Sequence, residues 1–140
     1  FRTHHEPALR DHLRFEQRDG KLRNLLHPAV PRLAADAVTR LHQAEAARPD
    51  AAPIERLIVH PGGRDVLDAV EAALPGHELS ASRRVLDRYG NMSSPSVLFA
   101  LEEALKTHAP NGNGDWWLTS FGAGFSAHSC RFGARHPHAR

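Results

Sequence analysis

Apolar and polar positions change rhythm several times along the 140 residues, and each change marks an element. Leu13 to Leu26 (LRFEQRDGKLRNLL) reads as a hairpin turning at Asp19-Gly20, a dipeptide suited to tight turns. From Val30 the apolar residues move to Val30, Leu33, Ala34, Ala37, Val38 and Leu41, a helical spacing that runs to about Ala47 with Pro31 near its start. Arg48 to Pro53 (RPDAAP) breaks the helix, and Arg56-Leu57-Ile58-Val59-His60 is a short apolar run of the kind that forms a buried strand.

Pro61-Gly62-Gly63 then turns the chain into a helix from Arg64 to Leu74, with Val66, Leu67, Val70 and Leu74 on one side. His60 is thereby placed at the carboxyl end of a strand, where open α/β sheets hold ligands and chemistry. A further helix is predicted from Ser80 to Arg88, capped by Ser80 or Ser82, and another from Pro95 to about Thr107. Ser93 or Ser94 suits the cap of the latter, and Pro95 its first turn, where a missing N–H costs nothing. Asn111 to Asp115 (NGNGD) reads as a turn. Trp116 to Phe121 and Phe125 to Phe132 read as strands joined through Gly122-Ala123-Gly124, with Trp116 and Trp117 as core residues. The expected organisation is one α/β unit over residues 1–132, followed by a disordered basic tail over 133–140, without internal repeats.

Composition narrows the function classes. A hydrophobic fraction of 41% with 24% charged residues is globular, and no apolar run approaches the roughly 20 residues of a membrane span. Phe1 to Arg10 has no apolar signal core, and the single cysteine, Cys130, leaves no internal disulfide framework; both point to a reducing, cytoplasmic setting. The absence of an initiator Met suggests processing, cloning or truncation. The net charge of +2 comes from basic residues scattered among nearly as many acids, which disfavours a nucleic-acid face. Of the 11 histidines, His4, His5, His136 and His138 are terminal, and no HExxH or paired Cys/His spacing suggests a metal.

Two residues stand out for chemistry. A histidine closing a strand before Pro-Gly-Gly is, by itself, more often structural than catalytic. An asparagine after glycine just outside a helix is usually a turn residue. In this sequence, however, HPGGRDVLDAVEAAL (His60 to Leu74), SRRVLDRYGNMSSPSVLFALEE (Ser82 to Glu103) and WWLTSFGAGFSAHS (Trp116 to Ser129) follow one another in order. Together they resemble the type III polyketide synthases, the chalcone and stilbene synthase family of the thiolase superfamily. The resemblance covers roughly residues 13 to 132 and extends only to the C-terminal half of the family. The related ketoacyl-ACP synthases III also use His and Asn, but HPGG with GNMSS favours the polyketide branch.

The resemblance implies a fold, a reaction and a set of site residues. The fold would be the C-terminal half of a thiolase-like α/β fold, helices packed on a mixed sheet. The reaction would be decarboxylative Claisen condensation, in which malonyl-CoA loses carbon dioxide and its enolate attacks an acyl starter carried on a cysteine. Donors aimed at the developing enolate oxygen lower that barrier, and His60 and Asn91 would be those donors. His60 would also help keep the cysteine as thiolate. Ser93 would line the elongation cavity with Gly62 and Gly63, and Ser120-Phe121-Gly122-Ala123-Gly124 matches the family's GFGPG loop beside the cyclisation pocket. Ser120 and Ala123 replace a Gly and the Pro of that loop, so a bacterial-type member is the nearer analogy. The intact enzyme would be a homodimer taking CoA thioesters and needing no metal or prosthetic group.

The catalytic cysteine of the family belongs to the N-terminal half, which has no counterpart in this sequence. Cys130, in FSAHSCRF, reads as an ordinary strand residue, and His128 on the same face lacks a third group to orient a Cys/His dyad. The chain by itself is therefore expected not to condense malonyl-CoA. The rival reading is non-catalytic, a truncated relic or a subunit that pairs with a separate N-terminal half.

Overall fold

A computed structural model of the chain describes residues 1–49, 51–108 and 114–133. The elements are β1 (Arg2–His5), β2 (Leu13–Arg18), β3 (Lys21–Leu26), α1 (Val30–Ala46), β4 (Ile54–Val59), α2 (Arg64–Ala73), α3 (Ser80–Tyr89), α4 (Ser96–Thr107), β5 (Asp115–Gly122) and β6 (Ser126–Gly133). A short 3₁₀ turn at Pro7–Leu9 follows β1. The main sheet has the order β1-β6-β5-β4, with β4 parallel to β5 and the other pairs antiparallel. It is a mixed sheet with helices on both faces, as the fold class requires.

The period of two along each strand builds the layers. Leu57 and Val59 of β4 pack with Trp117, Ala127, α1 and α2, while Ile58, between them, faces Trp116, Ala81, Val85, Ala100 and Ala104 on the side of α3 and α4. Trp116 and Trp117 are both buried, on opposite faces. A strand buried on both sides reads as the unbroken apolar run seen at Leu57-Ile58-Val59.

The hairpin forms where the sequence places it. Asp19 and Gly20 take φ of 53° and 71°, the two left-handed residues that a tight two-residue turn needs. β2 and β3 form a separate two-stranded sheet. The hairpin is tied back to the body by the Gly124 N–H donating to the Leu13 carbonyl at 2.8 Å.

Several local expectations give way to other arrangements. β1 was not expected, because Arg-Thr-His-His carries no apolar alternation; its order comes from backbone pairing with β6 and from Arg2 on the buried Glu45 at 2.5 Å. Neither Ser80 nor Ser82 caps α3, whose N-cap is Leu79 without a side-chain bond. Ser82 is buried and bonds β4 instead. Its Oγ accepts from the Val59 N–H at 3.2 Å and donates to the Val59 carbonyl at 2.7 Å. β4 is an edge strand, so these backbone groups point away from β5, and one hydroxyl satisfies both. Likewise, neither Ser93 nor Ser94 caps α4: Pro95 occupies the N-cap, and the Ser96 Oγ accepts from the Met92 N–H at 2.8 Å. The turn expected at Asn111–Asp115 lies outside the described residues up to Asn113. The tail expected over 133–140 lies outside them from Ala134 on, and β6 itself ends at Gly133. Among the described residues, no helix is long and apolar enough to cross a membrane.

Candidate active site

His60 follows directly on β4, its N–H donating to the Thr119 carbonyl of β5 at 2.8 Å, which extends the parallel pairing by one step. The residue is buried, with 8% of its surface exposed. Burial holds its imidazole below the ordinary range, so the ring is neutral at pH 7 and carries one N–H donor and one acceptor nitrogen. The Gly62 N–H donates to the His60 carbonyl at 2.8 Å, folding the Pro-Gly-Gly turn back on the histidine. A Cβ at position 62 would stand 3.4 Å from His60 Cδ2 and 3.6 Å from Nε2. Glycine there leaves one edge of the ring open.

Asn91 comes from the connection after α3, on the side of the sheet that Ile58 faces. α3 ends at Gly90, whose φ of 69° and ψ of −166° are open essentially to glycine alone. That turn sends Asn91 toward the Pro-Gly-Gly loop, where its Nδ2 donates to the Gly62 carbonyl at 3.0 Å. Its Oδ1 accepts from the Ser93 N–H at 2.8 Å, which stabilises Ser93 at a φ of 65°. With the acceptor end fixed in this way, the amide orientation is set, and the second N–H of Nδ2 is left to donate elsewhere. The turn reading of Asn91 is correct for one end of the side chain and silent on the other.

A cavity of about 350 Å3 gathers most of the sequence-derived candidates: His60, Gly62, Asn91, Ser93, Phe121, Gly122 and Ala123 all line it. Gly63 and Gly124 do not. Gly63 sits in extended backbone as the N-cap of α2, and Gly124 serves the β5–β6 turn with a φ of 76°. α4 begins at Ser96 with Pro95 as its N-cap, so Asn91 lies in the connection before the helix.

The hairpin supplies the wall that sequence reasoning did not assign. Leu13 and Phe15 on β2, opposite Leu26 and Asn24 on β3, all line the cavity. They share one face by the period of two, a signal present in the alternation of LRFEQR once the hairpin is asked what its apolar face covers. Cys130 is exposed on β6 and does not line the cavity. His128 instead contacts the hydroxyls of Thr3 at 3.0 Å and Ser126 at 3.1 Å. Among the described residues, no three His, Cys, Asp or Glu side chains converge as metal ligands would.

The family model for chalcone and stilbene synthases, C-terminal domain, matches residues 17–130, a span that includes His60, Asn91 and the β5–β6 turn. The chain belongs to this family. Solved type III polyketide synthases share the fold of this chalcone/stilbene synthase C-terminal domain. 1,3,6,8-Tetrahydroxynaphthalene synthase from Streptomyces coelicolor superposes with a TM-score of 0.82 at 25% identity, over 96% of this chain and 39% of its own length. CsyB, solved with CoA-SH, gives a TM-score of 0.82 at 23% identity, again over 96% of this chain and 39% of its own. The type III domain of Steely1 from Dictyostelium gives 0.79 at 19% identity, over 94% and 38%. The chain thus spans well under half the length of these synthases.

Proposed function

We propose that this domain carries the histidine and asparagine of a decarboxylative Claisen condensation centre, in a CoA-dependent acyltransferase of the type III polyketide synthase kind. The observation that carries this reading is the meeting of His60, at the end of β4, and Asn91, just after α3, in one cavity. There the Asn91 amide is oriented by Gly62 and Ser93, and the neutral ring of His60 has one edge left open by Gly62.

The chemistry follows from those two donors. Malonyl-CoA enters as a thioester, and loss of carbon dioxide leaves a pair of electrons delocalised onto the thioester oxygen as an enolate. A neutral imidazole N–H and a neutral amide N–H aimed at that oxygen stabilise the charge without surrendering a proton. Removing one preorganised donor of this kind typically costs 10²–10³ in rate, about 3–4 kcal/mol. The enolate carbon then attacks an acyl starter held as a thioester on a cysteine, and the thiolate departs. The electrons come from the carboxylate that leaves, so the condensation needs no metal or prosthetic group.

The acyl-bearing thiol is proposed to come from an N-terminal half, because Cys130 lies away from the cavity. Asn91, Ser93 and Ser94 are exposed on the open side of the cavity, and beside them Tyr89, Leu98 and Phe99 expose apolar surface, with Tyr89 and Phe99 in edge contact at 5.7 Å. That surface fits a covering half, and the complete enzyme would be a homodimer. The 140-residue chain by itself is proposed not to turn over malonyl-CoA. Condensation by the purified chain, abolished by Cys130→Ala, contradicts this. Joined to a cysteine-bearing half, it should turn over malonyl-CoA, and His60→Ala or Asn91→Ala should each remove about 10²–10³ of that rate. Association of the halves without any turnover would favour the non-catalytic subunit.

A further inference from the structure

At the end of the sheet remote from His60, a recess of about 230 Å3 is lined by His42 of α1, His77 of the α2–α3 connection and Arg131 of β6, with Ala46, Pro53 and Ile54 among its apolar walls. The His42 and His77 rings meet edge-on, centroids 5.3 Å apart at 69°. His42 also meets the fully buried indole of Trp117 at 5.6 Å. The two imidazoles therefore join α1, the α2–α3 connection and the sheet.

We propose that His42 and His77 form an acid-released latch, closed while both rings are neutral and opened when either takes up a proton. The charge nearest His42 in the recess is the cation of Arg131. The Arg131 side chain is 6% exposed, with Nε on Asp115 at 2.6 Å and Nη2 on the Ala52 carbonyl. Glu45, on the same face of α1, is engaged by Arg2 at 2.5 Å and Arg48 at 3.3 Å, and lies 3.9 Å from Arg131. On α2, Glu71 accepts from the Leu79 N–H and from Arg83. The carboxylates of Asp115, Glu45 and Glu71 are thus all engaged by arginines, and a proton on His42 sets its charge against Arg131 and the neighbouring ring.

Burial holds both rings below the ordinary imidazole range, and His77 and Arg131 add to the effect at His42. The unfolded chain takes up protons near the ordinary value of about 6.5, the folded chain only at lower pH. Between those values the unfolded state holds more protons, so the latch's stabilisation is full above about pH 6.5 and is lost as the pH falls through the folded values.

The test is the unfolding equilibrium of the 140-residue chain from about pH 7.5 to about pH 5.5, a window that brackets the ordinary imidazole value. The unfolded-to-folded ratio should rise on acidification, by at most about tenfold per pH unit for each linked proton. His42→Gln with His77→Gln should flatten that slope, whereas His60→Gln should leave the latch's share in place. A double variant that keeps the full slope overturns the proposal. Should the double variant fail to fold, ring-proton titration of the native chain decides: His42 and His77 titrating below the ordinary value support the latch, and titration at or above it overturns the latch.

Discussion

Gly90 determines where Asn91 points, because its φ of 69° and ψ of −166° are closed to residues bearing a Cβ. Gly90→Ala should therefore cost about 1–3 kcal/mol of stability, read as a lowered denaturant midpoint, and should weaken turnover in the assembled enzyme through Asn91. Gly62 acts differently. Its Cα is not in the left-handed region, and an added Cβ meets only the His60 ring, at ordinary contact distance. Gly62→Ala should accordingly leave the thermal midpoint nearly unchanged while reducing malonyl-CoA turnover, because the methyl group occupies the open edge of the ring. An equal loss of stability in both variants would contradict this division of roles. His60 adds a pH signature of its own. In the chain alone, burial keeps its ring titration below the ordinary imidazole value, and a thiolate brought alongside by the other half should raise it. Ring-proton titration with and without that half measures the change.

At the scale of elements, the apolar rhythm identified the hairpin, α1 to α4 and the strands β4 to β6, because each has enough alternation or helical spacing to commit its backbone. β1 was invisible for the opposite reason: its order depends on a partner strand and on the Arg2–Glu45 ion pair, neither of which is local. The serines show the same division. Ser82, Ser93 and Ser94 look alike as caps in sequence, but Ser82 is buried against an edge strand that leaves two backbone groups needing a partner. Ser82→Ala should cost about 1–3 kcal/mol, since it leaves buried polar groups of β4 unpaired. Chemical denaturation measures the loss, and a change within experimental error would mean that β4 does not depend on this hydroxyl. In the candidate site, His60, Asn91 and the β5–β6 turn were legible as motifs. The β2–β3 wall was not, because a hairpin carries no mark of what its apolar face covers.

At the scale of the molecule, the domain presents a cavity lined by His60 and Asn91, and near Asn91 in the chain Tyr89, Leu98 and Phe99 expose apolar surface. Phe99, 40% exposed at the foot of α4, tests the covering surface. Phe99→Asp should cost the isolated chain only about 0.5–1.5 kcal/mol, the worth of its edge contact with Tyr89, and leave it folded. It should nevertheless abolish co-purification with a cysteine-bearing half, because it sets a carboxylate into an apolar contact. Retained co-purification would place the contact elsewhere. Stabilisation of an enolate by His60 and Asn91 together would be read as carbon dioxide release from malonyl-CoA by the chain assembled with a cysteine-bearing half. His60→Ala and Asn91→Ala should each lower that release by about 10²–10³ while the halves remain associated. Release unchanged in both variants would contradict it.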